Sequence, residues 1–353
     1  MHVGISLLAL APDGSGGSET YARELVRALG RVGGLEYTVF VPEHARDAAD
    51  GLPAVAVRDV RRGPRSRSRI PGLGVAAPRA RELPAKVDGL DVLHYPLAVS
   101  EPRADAPTVA TVRDVQLREL PELFGPTRRA SRHVAYERAV READAVVVPS
   151  EFAKARVAER LELSETRVHV VPRAVDHELF RPGEEQRGPF VLYPARPWAH
   201  KNHPRLLEAF AVLRTTRPRL RLVLTGAGLE RLGPLPEGVE RWGEVPPDRL
   251  ASLYRRAACV VYPSLDEPFG LPPLEAMASG CPVAAANAGA IPEVCGDAAV
   301  LFDPLDPEAI AAAVVETDER RDELVARGLE RAAQFTWDEA ARRHDAVYRE
   351  VGS

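Results

Sequence analysis

The chain has 353 residues, 28% of them charged, and a formal net charge of -4 with acids and bases interleaved almost throughout. That balance excludes the basic face that a nucleic-acid partner needs to displace counterions, and it points to a small-molecule ligand instead. The length exceeds one ordinary core and fits two domains of roughly 150 to 180 residues each, with a cleft for the ligand.

In chain order, "HVGISLLAL" is apolar but lacks a basic leading segment, and "APDGSGG" follows it, so it reads as a first strand and not as a leader peptide. "ETYARELVRALGRV" sets Tyr21, Leu25, Leu29 and Val32 on one helical face, and "YTVFVP" is the next strand. Residues 58–81 carry eight arginines and one aspartate, the single exception to the balanced charge. They are either a solvated loop or a patch for anionic lipid head groups or a phosphorylated acceptor, in a weak peripheral membrane contact. The pattern resumes with "DVLHYP", "TVATVRDV", a helix from about Thr127 to Ala143, "AVVVPS" and "RVHVVP". Short apolar strands alternating with helices predict a parallel α/β sheet.

Around "DHELFRPGEEQRGPF" the apolar signal collapses, and "FVLYPAR" restarts the alternation. The expected domains are therefore 1–182 and 183–335, with a last helix over 336–353 packing back on the first. The second half runs through "FVLYPAR", a helix from Pro204, "RLVLTGAG", a weak strand at "VERWGEV", the helix "PDRLASLYRRAA", "CVVYPS", a helix around "PPLEAMASG", "PVAAAN" and "AVLFDP". Asp306 and Pro307 read as N-cap and first helical residue, and "TWDE" as a capping box. No stretch approaches a membrane span. Cys259, Cys281 and Cys295 are odd in number and lack C-x-x-C spacing, which argues against a disulfide framework or a zinc site and fits a reducing cytoplasm. The inner membrane face is the alternative location if the arginine patch meets lipid.

In open α/β sheets ligands sit beyond the carboxyl ends of the strands. "CVVYPS" is such a strand, with Ser264 at its end, and "LDEPFGLPPLE" is its loop and helix start. Proline and glycine fix an abrupt turn there, leaving the backbone N–H groups of Phe269, Gly270 and Leu271 at a helix N-terminus suited to an anion. Glu267 and Glu275 flank that turn and would repel a phosphate, so they fit hydroxyl groups on either side of one. A sugar nucleotide has that layout. The plain alternative is two solvated acids at a helix start.

The segment "EPFGLPPLEAMASGCPV", followed by "PEVCGDAAVLFDP" and preceded by "ARPWAHKN", resembles the retaining GT-B glycosyltransferases, in particular glycosyltransferase family 4, whose signature is a Glu-x7-Glu segment. The likeness is dense over Phe190 to Pro304 and looser in the N-terminal half. It implies two doubly wound Rossmann-like domains facing across a cleft, the first for the acceptor and the second for the nucleotide sugar. Glu275 would hold the nucleotide ribose, Glu267 the hydroxyls of the transferred sugar, and the Phe269 to Leu271 backbone the sugar or phosphate. Arg196 and Lys201 would bind the diphosphate and stabilise it as it leaves. Lysine is scarce here, three residues among 47 basic ones, so its presence at 201 counts.

No Asp-x-Asp occurs, and no His or carboxylate cluster has ligand spacing, which favours protein cations over a metal and implies no cofactor beyond the donor. Gly16 and Gly17, in a glycine-rich strand-to-helix loop, would let the backbone approach a phosphate or would simply make a turn. The family often has His-Asp after "TVATV"; here Arg113 stands in the His position, followed by Asp114. Arg113 either reads an anionic group or pairs with a carboxylate, and His94 is a further acceptor-side candidate. Arg173 and Ala174 replace the Asn and Gly of the family's hinge, and Ala resists positive φ. The expected reaction is metal-independent, retaining transfer of a hexose from a GDP- or UDP-sugar to a hydroxyl acceptor on a small molecule, glycan or lipid-linked carrier. A hydrolysing nucleotide-sugar epimerase and a silent sugar-nucleotide-binding protein are the alternatives.

Overall fold

The computed structural model describes residues 1–10, 17–57, 87–102, 104–112 and 137–353. The arginine-rich stretch, Gly16, Arg113, Asp114 and most of the helix expected from Thr127 lie outside these; 137–142 is helical. The chain divides into two units, Met1–Pro172 with Trp337–Ser353, and Arg173–Thr336. The composition break near residue 183 lies inside the second unit, because the irregular segment after Arg173 is already packed there. Ala174, Val175 and Phe180 are buried, and the Val175 N–H donates to Phe335 O at 3.0 Å. Neither Arg173 nor Ala174 has a positive φ.

The first unit holds a seven-stranded sheet in the order β3-β2-β1-β4-β5-β6-β7. Its strands are β1 (His2–Ser6), β2 (Glu36–Pro42), β3 (Ala54–Val57), β4 (Val92–Tyr95), β5 (Thr108–Thr111), β6 (Ala145–Val148) and β7 (Val168–Val170), all parallel. The central strands are apolar runs because helices cover both faces of such a sheet. Helix α1 (Gly17–Val32) buries Tyr21, Leu25 and Leu29 against it, with Val32 partly buried beside them. Helix α2 (Glu151–Leu161) starts where Ser150 caps the Ala153 N–H at 3.0 Å. The edge strand β3, "AVAV", carries no turn or aromatic signal and was absent from the sequence reading.

The second unit holds a six-stranded parallel sheet in the order β10-β9-β8-β11-β12-β13. Its strands are β8 (Phe190–Pro194), β9 (Arg221–Thr225), β10 (Val239–Gly243), β11 (Cys259–Tyr262), β12 (Val283–Ala286) and β13 (Ala299–Phe302). Between them run α3 (His203–Thr216), α4 (Pro247–Arg256), α5 (Leu271–Ala278) and α6 (Ile291–Cys295), followed by α7 (Pro307–Glu319) and α8 (Arg321–Ala332). Asp306 caps α7 through the Glu308 N–H at 2.9 Å, with Pro307 in the first turn. The order of connection reverses between β8 and β11, which makes the carboxyl ends of these two strands the switch point where such sheets bind ligands.

The last helix, α9 (Trp337–Val351), belongs to the first unit. Polar groups fasten it there. Tyr21 OH meets His344 Nε2 at 3.2 Å, the Gly34 N–H donates to Asp345 Oδ2 at 2.6 Å, and Tyr37 donates to the other oxygen of Asp345. Tyr348 OH lies 2.7 Å from His94 Nδ1, whose Nε2 is 2.8 Å from Thr111 Oγ1. His94 is therefore fully buried with both ring nitrogens engaged, a structural residue and not one offered to an acceptor.

Candidate active site

The loops after β8 and β11 meet at the switch point of the second sheet. After β8 the chain passes Arg196, Pro197 and Trp198, makes a single 3-10 turn over Ala199–Lys201, and enters α3 through Asn202 at φ 59°. Asn202 can hold this left-handed conformation because its side chain donates to Pro263 O at 3.1 Å and to Pro304 O at 2.7 Å. Leu265 N–H and Ser264 Oγ donate to His200 O at 2.7 and 3.1 Å, so the two loops are laced together. Tyr193 OH donates to Lys201 O at 2.5 Å and fixes the backbone under the lysine.

That lacing delivers the Lys201 ammonium to Glu267. The two form an ion pair with side chains only 12% and 9% exposed. Tyr262 OH lies 3.0 Å from both Lys201 Nζ and Glu267 Oε1, and Ser264 Oγ donates to the same carboxylate oxygen at 2.6 Å. Burial alone would raise the Glu267 pKa. The charge and hydrogen bond of Lys201, with the bond from Ser264, outweigh it and hold the carboxyl below its ordinary value. Burial, and then the Glu267 charge, push the Tyr193 and Tyr262 hydroxyls well above theirs, so both are neutral donors.

Glu275 is one turn into α5 and sits in a different environment. Its Oε2 accepts from Tyr254 OH at 3.0 Å. Burial drives its pKa up to about 7, against the opposing pull of Tyr254 and Arg173. One carboxylate is thus firmly ionised beside a cation, and the other titrates near neutrality. Between them Gly270 caps α5 at φ 107°, where a Cβ would stand 2.5 Å from Ile291 Cδ1. Gly289, at φ 61°, lets the chain pass so close that a Cβ would come within 2.7 Å of Glu267 N and O. The neighbouring Ala290 N–H donates to Glu267 O at 2.9 Å. Gly270 is favoured by its left-handed φ, and Gly289 is required because a side chain there would displace the turn that carries Glu267.

The structure brings together Lys201, Glu267 and Ser264 from the sequence-based candidates, with Gly270, Leu271 and Glu275 following on the same turn and helix. Ser264 is fully buried and orients Glu267. The Phe269 side chain packs against Phe335, with ring centroids 5.8 Å apart, which leaves only its backbone for a ligand. Arg196 stands apart from the cluster. It is 47% exposed, pairs with Glu244 at 3.8 Å and lies 5.9 Å over the Trp198 ring. In the first unit Gly17 is the opening residue of α1. Tyr254, Tyr262, Asn202 and Gly289 escaped the sequence reading. The one local signal was Tyr262, a polar-tipped residue ending an otherwise aliphatic strand.

Comparison with known proteins decides the family. The family model "Glycosyl transferases group 1" matches residues 175–331, and "Glycosyltransferase Family 4" matches residues 15–179. A D-inositol 3-phosphate glycosyltransferase from Thermobispora bispora is 30% identical across 96% of this chain and 90% of its own length. The chain belongs to the glycosyltransferases of family 4. The chain is also 40% identical to O-antigen chain mannosyltransferase B of Escherichia coli, over 42% of each chain. It matches a D-inositol 3-phosphate glycosyltransferase of Segniliparus rotundus at 31% identity, over 69% of this chain and 60% of that one. The alignments with these last two therefore span less than two thirds of the relatives' own lengths. Among solved structures, the chain resembles sucrose-phosphate synthase of Thermosynechococcus elongatus, with a TM-score of 0.73, 21% identity, and 99% and 98% of the two chains covered. It also resembles Anabaena HepE in complex with UDP and glucose, with a TM-score of 0.72, 18% identity, and 99% and 100% covered. At such identities these two likenesses concern the GT-B fold, two Rossmann-like α/β domains.

Proposed function

We propose that this glycosyltransferase moves a hexose from a nucleotide-diphosphate sugar, a GDP- or UDP-sugar, to a hydroxyl acceptor, with retention of anomeric configuration and without a metal. The observation that carries the reading is the Lys201–Glu267 pair at the switch point of the second sheet, with Glu275 on the helix that follows. Glu275 accepts hydrogen bonds from the ribose hydroxyls. Glu267, ionised and held by Ser264 and Tyr262, accepts them from the transferred sugar. Lys201 is the diphosphate cation. Its pairing with Glu267 means that a diphosphate meets a cation already desolvated and oriented, which is the preorganisation that stabilises a leaving group. Arg196, exposed and paired with Glu244 and Trp198, swings in as the second cation.

In the chemical step the acceptor oxygen bonds to the anomeric carbon, the bond from that carbon to the phosphate oxygen breaks, and the acceptor proton passes to the departing diphosphate. Arg113 is no general base, and the step as written needs none. In this reading the first unit binds the acceptor, Arg113 and Asp114 act at the reacting groups, and the backbone of Gly16 and Gly17 meets the phosphates of the donor. The family membership and the D-inositol 3-phosphate and mannosyltransferase relatives support the substrate class.

A thermal-shift screen with UDP-, GDP-, dTDP- and ADP-sugars tests the reading. One of them raises the melting point of the wild type. Glu275→Ala removes that shift, whereas Glu267→Ala keeps it and loses transfer. Equal loss of nucleotide affinity in both variants contradicts the division of labour, and the anomeric proton coupling of the product reports retention.

A further inference from the structure

The strands of the second unit have two ends, and the proposed donor site uses only the carboxyl one. At the opposite end, where β8, β9 and β11 begin, lies a cavity of about 530 Å³. That is within the size range of sites for small organic ligands. Its walls are largely apolar, with Val191, Leu220, Cys259 and Val314 among them.

The charged residues around it are one-sided: Arg187, Arg217, Arg219 and Arg321 against Asp318. Arg187 is committed to backbone carbonyls, donating to Ala257 O at 2.9 Å and to Gly280 O. Arg217 and Arg321 share Asp318, the former at 2.9 Å, which leaves that trio with a net positive charge. The Nε of Arg321 is buried and has no hydrogen-bond partner among the described residues. Such an orphaned donor is destabilising until an acceptor arrives. Arg219 is exposed at the rim and makes no ion pair among the described residues. An apolar hollow ringed by surplus guanidinium groups, one of them with an unmet donor, is the complement of an anion that carries a hydrocarbon body.

We propose that this cavity is a second ligand site, separate from the donor site, that takes an amphiphilic organic anion. A phosphate or carboxylate head group lies against Arg219 and Arg321, and a short apolar body lies along Val191, Leu220 and Val314.

Calorimetric titration of the full chain with octyl phosphate, octanoate, inorganic phosphate and octyl glucoside tests this, each probe kept below its micelle concentration. At least one of the two octyl anions binds with a stoichiometry of one, and the phosphate and carboxylate arms tell which head group is preferred. Inorganic phosphate lacks the apolar body and octyl glucoside the charge, so both bind about tenfold more weakly or less, the loss of roughly one charge-assisted or apolar contact. Arg219→Glu weakens the anion by about tenfold or more while the circular dichroism spectrum and probe-free melting point stay as in the wild type. Arg219→Gln gives a smaller loss in the same direction. No binding of either octyl anion, equal binding of octyl glucoside, or anion affinity unchanged in Arg219→Glu overturns the proposal. None of these readouts depends on the identity of the sugar donor.

Discussion

Lys201 and Glu267 each make the other tolerable in a place where either charge alone is costly. Desolvating an ion costs several kcal/mol, and removing one partner of a buried pair strands the other. Lys201→Met is therefore expected to lose about 3 kcal/mol of stability in urea unfolding, because Glu267 is left buried and unpaired. Adding Glu267→Gln to that variant should restore most of the loss, whereas two independent sites would simply add. Glu275 makes a different prediction. Its pKa rises from an ordinary 4.5 to about 7 in the folded chain. Between those values the native state holds a proton that the unfolded chain has released, so this group's contribution to stability falls as the pH rises through the window. Replacing it by glutamine removes the slope. The stability of Glu275→Gln relative to the wild type should climb by on the order of 2–3 kcal/mol between pH 4.5 and pH 8, as measured by denaturant midpoints.

At the scale of elements, α9 is held to the first unit through rings that must stay uncharged. His344 is pushed down to about 4 by burial, and His94 is lowered well below its ordinary value by burial and by His344 itself. The groups facing the pair are Tyr21, Thr111 and Tyr348, with Asp345 also acting on His344. An unfolded histidine takes up its proton near 6.5, while the folded one resists until about pH 4. Stability is thus present above 6.5 and is lost as the pH falls through the window, by about 3 kcal/mol for His344. Calorimetry of the wild type and of His344→Gln should show the acid-side decline of the first unit flattened in the variant. The sequence pointed to a last helix on the first domain, but the polar contacts that fasten it were not legible, since Tyr37 and Asp345 are 308 residues apart. Periodicity, by contrast, sufficed for α1 and for the strands buried on both faces, and the turn from Glu267 to Glu275 was readable because proline, glycine and acid fall within one short stretch. Tyr254 and Tyr262 were not readable. Their roles arise from the packing of α4 and β11 beside the turn, which is long-range geometry and leaves no local mark. The half-buried β3 was lost for the opposite reason, having too few large residues to register.

On the scale of the whole molecule, the first unit is discontinuous and the second is not. Deleting residues 337–353 would bare the apolar surface of α1 around Tyr21 and Leu25 and strand the buried Tyr37 hydroxyl and the His94 Nδ1, since their partners Asp345 and Tyr348 leave with α9. The expected result is a protein whose first unit is cleaved rapidly by a dilute protease while the span 173–336 resists and retains nucleotide affinity. Cleavage spread evenly over both spans would contradict the division. The same arrangement bears on synthesis. During translation the entire second unit leaves the ribosome before the segment that seals the first, so the later-made half has the chance to finish folding while the earlier-made half waits for its closing helix. A chaperone that shelters nascent chains should accordingly engage the leading portion of this polypeptide for longer than the middle.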